Sequence, residues 1–269
     1  MPSFSIVGLS DSAKVPQWYG EVLFGQSQIR FGSLPVKVLL CGLKSASGDL
    51  VVDSEIRRFL SKEDADTAAG AGGELARMAY AAFDETLGMS GFEIYGCAPT
   101  GFGGTAATTI ITITGTASAA GTLKIYVAGL MTEVSIPNGT VQNDAAALVN
   151  TKLGTITRLA ATAGVLTNAV TLTDKSASIR GNQLICYVDF SLAPGLTVVL
   201  SGAGGAAVTS STTVVGRYFG GGTGTETMTT MLAALYPTFH KFIVPAQNDA
   251  TSLAAWELQC DAKAGPTEG

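Results

Sequence analysis

The chain contains a single histidine, His240, so any chemistry that needs an imidazole has to use this one residue. A zinc site with several histidine ligands is therefore excluded within one chain. A Ser-His-Asp triad would also need His240, and the G-x-S-x-G turn that presents a nucleophilic serine does not occur in the sequence. Cys260 is another candidate nucleophile, but no pattern around it marks an activated thiol. We predict that the protein has no catalytic residue and is not an enzyme.

A glycine run at residues 220–222 precedes a predicted helix, which is where a phosphate could bind to free backbone amides. The phosphate loop of nucleotide-binding proteins carries a lysine followed by serine or threonine. This chain has Thr225 and Glu226 instead, and the carboxylate of Glu226 would repel a phosphate. We therefore predict no nucleotide or other cofactor, and we interpret the run as a flexible connection between domains.

Residues that bind metals are not grouped in a recognisable pattern. The four cysteines stand alone, without any C-x-x-C pair, at Cys41, Cys97, Cys186 and Cys260. We interpret them as buried, reduced thiols, which is typical of a protein made in a cytoplasm. Acidic residues cluster at 63–66 beside Lys62, and we interpret this cluster as a solvated loop. The sequence thus predicts no metal site.

Composition limits the classes of partner. Charged residues make up 14% of the 269-residue chain, and the net charge is −5. An average globular chain carries roughly 25% charged residues, so a surface this poor in charge suits burial against other proteins. The basic residues are scattered, which argues against nucleic-acid binding. No run approaches the ~20 apolar residues that span a bilayer, so we predict no membrane insertion.

Residues 26–100 alternate strands with helices. A run that is apolar except for Lys37 predicts a buried strand at 36–43, and residues 92–97 predict a second strand, with parallel pairing expected. Between them we expect a short helix that contains residues 56–60, and a better helix after Gly73. The apolar residues of this second helix recur at helical spacing, at Leu75, Met78, Ala79, Ala82 and Phe83.

Residues 101–218 differ in composition and are dense in threonine, alanine, glycine and valine. Apolar and polar residues alternate with a period of two, broken by glycine and asparagine, which predicts antiparallel strands with one buried face. One helix interrupts these strands, and Thr140 or Asn143 could cap it. We expect a compact β-rich region, similar to a sandwich or a barrel, that is closed by this helix.

Residues 219–269 return to the first pattern. Thr225 or Thr227 could cap a helix that ends before Pro237, a short buried strand follows at 242–244, and Asp249 or Thr251 could cap a last helix. Because the α/β pattern resumes here, we predict an α+β fold. In this fold an α/β domain, built from residues 26–100 and 219–269, is split by the inserted β-rich domain.

Several stretches together resemble the tail sheath protein of Mu-like phages and related contractile particles. They are 121–129 (GTLKIYVAG) with the alanine-rich helix at 145–149, 180–184 (RGNQL), 219–226 (FGGGTGTE), 231–235 (MLAAL), 242–245 (FIVP) and 249–253 (DATSL). Their order and spacing, over roughly residues 105–260, are similar to the family pattern. Sheath proteins of the family continue beyond the point where this sequence ends, so we expect the C-terminal region of the family to be absent.

The resemblance implies a structural role in the contractile tail of a virion that is assembled in the host cytoplasm. Copies of the chain would form a helical array around a tail tube, bounded by a baseplate and a tail terminator. The array would contract and drive the tube through the host envelope. In the family, terminal arms add strands to the sheets of neighbouring subunits, which is strand addition at an open edge.

An N-terminal arm at residues 1–25 suits this role, because it carries apolar side chains without an amphipathic helix to bury them. We expect these side chains to dock on a neighbouring subunit, and the candidate contact residues are Trp18, Tyr19, Val22, Leu23 and Phe24. Two other classes remain open. The threonine-rich region favours an adhesin-like β domain on a cell or virion surface, and an enzyme on a split α/β scaffold would need His240 or Cys260 in a cleft.

Overall fold

The computed structural model describes residues 36–86, 91–101, 103–235, 240 and 242–264. The predicted arm at 1–25 lies outside this range, together with its candidate contact residues Trp18, Tyr19, Val22, Leu23 and Phe24. The described part of the chain is mixed α+β, with five α-helices and three β-sheets. The predicted fold class is confirmed at this level. Among the described helices, none combines the length and the apolar character that crossing a bilayer requires.

One sheet draws its strands from both ends of the described chain. Its strands are β1 (Val36–Cys41), β2 (Arg57–Phe59), β3 (Phe92–Cys97) and β13 (Phe242–Pro245). They lie in the order β13-β1-β3-β2, in which β1 pairs in parallel with both β13 and β3. The short β2 pairs antiparallel with β3. Because its other three strands are parallel, we call this sheet the parallel sheet. The parallel pairing expected for the two apolar strands is therefore confirmed.

Helices cover both faces of this sheet. They are α1 (Lys62–Ala69) and α2 (Glu74–Thr86) on one face, and α4 (Thr229–Leu235) and α5 (Ala250–Ala264) on the other. Leu40 of β1 packs with the α1 and α2 side, whereas Leu39 and Cys41 pack with Met231 of α4 and Trp256 of α5. Residues 38–41 of β1 are apolar at every position because this part of the strand packs against helices on both faces of the sheet, whereas Lys37 is exposed.

Two antiparallel sheets occupy the middle of the chain. The first contains β4 (Thr108–Gly115), β7 (Ala161–Leu166), β8 (Ala169–Asp174) and β10 (Leu196–Ser201), in the order β10-β4-β8-β7. The second contains β5 (Gly121–Val127), β6 (Leu130–Ile136), β9 (Ile185–Leu192), β11 (Ala207–Ser210) and β12 (Val214–Tyr218), in the order β11-β12-β9-β5-β6. Over the described residues both sheets are open, and neither closes into a barrel.

The two antiparallel sheets and α3 (Gln142–Gly154) share one hydrophobic core. Alternate residues of each strand, such as Ile111 and Ile113 of β4 or Leu123 and Ile125 of β5, are fully buried in it. The intervening residues are polar or partly exposed, which is the period of two seen in the sequence. Thus the expectation of antiparallel strands with a single covering helix is confirmed.

Several local predictions are wrong. Residues 57–59, expected in a helix, form β2, because this segment pairs with β3. The acidic cluster at 63–66 lies in α1, not in a loop, and Ser61 caps that helix by accepting the N–H of Asp64. Neither Thr140 nor Asn143 caps α3, which begins after Val141 without a side-chain cap. By contrast, Asp249 does cap α5, since its Oδ1 accepts the N–H of Ser252 at 2.9 Å.

Candidate functional site

Among the residues that the structure describes, β13 forms one edge of the parallel sheet, because it pairs with β1 and with no described strand on its other side. The N–H of Ala246, just after β13, donates to the carbonyl of Cys41 at 2.7 Å. Because alternate residues of a strand point their main-chain groups to opposite sides, the N–H and C=O of Ile243 face away from β1. Pro245 has no N–H, so the edge offers another chain only a short row of main-chain groups.

This edge strand also exposes apolar side chains. Phe242 and Val244 are 52% and 44% exposed, whereas Ile243 packs into the cluster beneath α4 and α5. Phe242 and Val244 stand opposite Val38 and Leu40 of β1, on the face that carries α1 and α2. These helices bury Leu40 but leave the outermost strand uncovered. Apolar side chains beside an open sheet edge are typical of a surface that another chain covers.

A buried ion-pair cluster joins three segments that lie far apart in the sequence. The guanidinium of Arg180 donates to the two carboxylate oxygens of Glu74, both at 2.7 Å, and to those of Glu226 at 2.6 and 2.7 Å. The side chains of Arg180 and Glu226 are only 6% and 1% exposed. A planar guanidinium is suited to such bidentate contacts, since its five N–H groups form a rigid fork.

Each member of this cluster is held by a different element. Glu74 is the first residue of α2, and its carboxylate also accepts the main-chain N–H of Leu43 at 2.9 Å, just after β1. Arg180 lies in a 3-10 helix, Ile179–Gln183, between β8 and β9. Glu226 lies in the segment before α4. The cluster therefore ties helices of the parallel sheet to a connection of the antiparallel sheets.

The cluster carries one positive and two negative charges. Burial by itself would lower the pKa of Arg180, but hydrogen bonds to Glu74 and Glu226 hold that pKa above its ordinary value. Arg180 therefore stays charged. Removing it would leave two carboxylates out of water without a counter-charge, which is the arrangement that proteins tolerate least.

Asp174, the last residue of β8, adds a further buried carboxyl group to this junction. It is 5% exposed, and burial raises its pKa to about 6, although the N–H of Ser176 and the charge of Arg77 act in the opposite direction. Close packing around Asp174 requires a glycine at the neighbouring position 181. A Cβ on Gly181 would lie 2.5 Å from Oδ2 of Asp174 and 2.9 Å from Cβ of Ala107.

A second, more exposed set of contacts also links α1 and the residues just after it to connections of the antiparallel sheets. Arg158, between α3 and β7, donates to Asp66 at 2.7 Å and to Glu63 at 2.9 Å, and both acceptors lie in α1. The ammonium of Lys175 donates to the carbonyl of Ala71 at 2.8 Å. The side chain of Glu63 is 77% exposed, so this contact contributes less to stability than the Arg180 cluster.

The glycine run does not behave as a free connection. Gly220 pairs with Thr108, and Gly222 exchanges hydrogen bonds of 2.8 and 2.9 Å with the side chain of Asn182. A Cβ on Gly220 would lie 1.8 Å from the carbonyl oxygen of Ala203. The expectation of a flexible linker is therefore wrong, because these glycines permit close packing instead.

His240 and Cys260 are the residues that the alternative of an enzyme would use. The ring of His240 meets the ring of Tyr95 edge-on, with centroids 5.4 Å apart. Cys260 is exposed on α5, so the expectation of burial is wrong for this thiol. The other three cysteines are buried and free, as expected, and burial raises the pKa of Cys186 to about 12.

A cleft of about 300 Å³ lies at the carboxyl ends of β1 and β3, where open α/β sheets commonly bind ligands. Its described lining includes the polar residues Lys44, Ser45 and Lys175 and contains no histidine or carboxylate. The ammonium of Lys44 donates to the carbonyl of Gly48 at 2.8 Å. The described lining therefore offers no pair of groups for acid–base chemistry.

Within the ranges that the structure describes, no group of three histidine, cysteine or carboxylate side chains is arranged to hold a metal ion. The predicted contact residues of the arm lie outside the described residues. Sequence reasoning missed the buried Arg180 cluster, for which the only local signal was a basic residue between two predicted strands.

No protein-family model matches this chain, and no curated protein matches it in sequence.

Proposed function

We propose that this chain is a structural subunit of a contractile phage-type tail sheath. The observation that carries the proposal is the edge of the parallel sheet at β13, which has no further strand partner in the described part of the chain and exposes Phe242 and Val244. An extended segment of a neighbouring subunit can add to such an edge. Because donor segment and receptor edge are different parts of the chain, the contact is heterologous and can continue into a filament.

The finer fold assignment belongs to the same proposal. We assign residues 26–100 and 219–269 to one α/β domain and residues 101–218 to an inserted β-rich domain. Support comes from the sheets, since every strand of the parallel sheet lies in 36–97 or 242–245 and every strand of the antiparallel sheets lies in 108–218. The proposed partners are other sheath subunits, a tail tube, a baseplate and a tail terminator. The proposed location is a virion tail.

A second candidate function is an adhesin-like β domain on a cell or virion surface. The two antiparallel sheets favour it, because they share a hydrophobic core of their own. The buried Arg180 cluster weighs against it. This cluster joins the antiparallel sheets to helices of the parallel sheet, which a free-standing adhesin domain would not require.

Electron microscopy of the purified full chain in negative stain tests the proposal. We expect tubes or rings, and Val244→Lys should reduce them, because it places a charge on the edge strand. Leu166→Lys is the matched control, since Leu166 is 79% exposed at the end of β7, away from this edge. If the full chain remains a monodisperse monomer under all assembly conditions, the sheath proposal is wrong. If Val244→Lys assembles like the unaltered chain, the β13 edge is not the contact.

A further inference from the structure

A groove of about 430 Å³ lies on the outer face of the sheet β11-β12-β9-β5-β6. Tyr126 of β5 and Tyr187 of β9 stand directly opposite each other in its lining, and Ile185 and Val214 extend the apolar surface. Of the lining residues that the structure describes, Asp189 alone is charged. The groove therefore combines a pair of aromatic rings with a single carboxylate.

The carboxylate of Asp189 is ionised at neutral pH. Hydrogen bonds from the side chain and main chain of Ser191, and more weakly the charge of Lys124, lower its pKa. Lys124 also lies 3.8 Å from Glu133, so the charged row beside the groove carries two negative charges against one positive charge. Aromatic rings next to an excess negative charge favour a cation that has an apolar stem.

The exposed side of α3 carries groups that complement this groove, namely an apolar side chain beside a cation. Its inner residues Ala146 and Val149 are buried in the shared core, but Leu148 is 37% exposed, and Lys152 is exposed one turn further on. Residues four positions apart lie on one face of a helix, so Leu148 and Lys152 form a neighbouring apolar and cationic pair. Across the described part of the chain, Lys152 has no ion pair.

Most other cations in that part of the chain are already engaged. Carboxylates pair with Arg57, Arg58, Lys62, Lys124, Arg158 and Arg180. Lys44 and Lys175 donate to main-chain carbonyls. Lys152 is therefore well suited to pair with an additional carboxylate. Asp189 of the same molecule lies on the outer face of a sheet whose opposite face packs toward α3 in the core, so the pairing needs a second molecule.

We propose that the tyrosine groove of one copy binds the Leu148–Lys152 face of α3 from a second copy. Lys152 would pair with Asp189 beside the rings of Tyr126 and Tyr187, and Leu148 would cover apolar lining. This inference rests on the proposed assembly of identical subunits, and it adds a heterologous contact that is separate from the β13 edge.

Charge exchange tests this contact in the full chain by sedimentation velocity. Asp189→Lys and Lys152→Asp should each weaken self-association by on the order of tenfold, and the variant with both changes should recover most of the loss. Asp189→Asn, which can retain the hydrogen bond from Ser191, and Lys152→Met are milder variants that test the same contact without a reversed charge. Urea midpoints should show that every variant is folded.

Directed cross-linking separates this contact from others. A lysine–aspartate pair holds its Cα atoms farther apart than a disulfide can span, so a bismaleimide is used to join the two thiols. In a Cys260→Ser background, which removes the exposed thiol, Lys152→Cys and Asp189→Cys proteins should each remain uncross-linked when treated alone with this reagent. A mixture of the two should give a covalent dimer. If the mixture gives none, or if the single charge variants associate like the unaltered chain, the inference is wrong while the sheath proposal stands. If the unaltered chain never self-associates, both are wrong.

Discussion

Replacing Arg180 by methionine gives the most direct test of the buried ion-pair cluster. Methionine keeps an apolar stem of similar length but removes the guanidinium. The substitution breaks four hydrogen bonds of 2.6–2.7 Å to Glu74 and Glu226 at once. Glu74 retains the N–H of Leu43 as a donor, whereas Glu226, at 1% side-chain exposure, loses its guanidinium partner.

The expected loss of stability follows from the two carboxylates left behind. Removing one partner of a buried ion pair costs about 3–5 kcal/mol, because the remaining charge is held out of water without compensation. For a chain of this size, 1 kcal/mol corresponds to about 2–4 °C in melting temperature. We therefore expect Arg180→Met to lower the melting temperature by roughly 6–20 °C.

Urea unfolding near neutral pH measures this loss. Fluorescence of Trp256 is a suitable signal, because this side chain is buried against α4, which directly follows the Glu226 segment. The matched control combines Arg180→Met with Glu74→Gln and Glu226→Gln, which removes both charges and should recover much of the loss.

Two results would contradict this reasoning. A loss below about 1 kcal/mol would mean that the carboxylates find water or other donors once Arg180 is gone. A triple variant no more stable than Arg180→Met would mean that packing of the arginine stem, not charge compensation, determines the effect. The slope of the urea transition should stay constant, because the surface exposed on unfolding does not change.

Two further predictions concern the neighbouring carboxyl group and the arm. Asp174 has a pKa of about 6 when folded and about 4 when unfolded, so it binds a proton on folding between these values and costs stability above them. Asp174→Asn should raise the free energy of unfolding at neutral pH by up to about 3 kcal/mol, with little change at pH ~4, in urea titrations. Deleting residues 1–24 should leave the urea midpoint unchanged but abolish assembly, and a lowered midpoint would place the arm in the core.

The sequence predicts best those helices and strands in which burial alone determines the pattern of apolar residues. Residues 38–41 of β1 pack on both faces of the sheet, so this apolar run has a single interpretation. In α2, Leu75 and Ala79 recur at helical spacing and are fully buried. The alternation in β4 and β5 likewise follows directly from a one-sided core.

Predictions fail where a distant partner decides the local structure. The segment at 57–59 has residues that would suit a helix, but pairing of Phe59 with Ile94 makes it a strand. The glycine run at 220–222 looks like a linker in sequence, but Thr108 and Asn182 hold it in place. In both cases the partner lies far away in sequence, and no local pattern marks it.

The Arg180 cluster shows the same limit for the candidate site. Arg180 lies 106 residues from Glu74 and 46 residues from Glu226 along the chain, so no spacing rule relates the three. From the sequence alone, Glu226 is interpreted only as a residue whose carboxylate would repel a phosphate. The structure shows that its carboxylate already has a cationic partner.

The cluster also bears on how a mechanical force would be transmitted if the chain is the proposed sheath subunit. Apolar residues of similar volume often stabilise a protein as well as a buried ion pair does, so stability alone does not account for this arrangement. The guanidinium of Arg180 makes all of its hydrogen bonds to Glu74 and Glu226 only when α2 and the segment before α4 hold these two carboxylates on either side of it. A shift of about 1 Å would weaken several hydrogen bonds together, because their strength falls steeply with geometry. In a sheath subunit, a force applied at the β13 edge would therefore move the antiparallel sheets together with the parallel sheet.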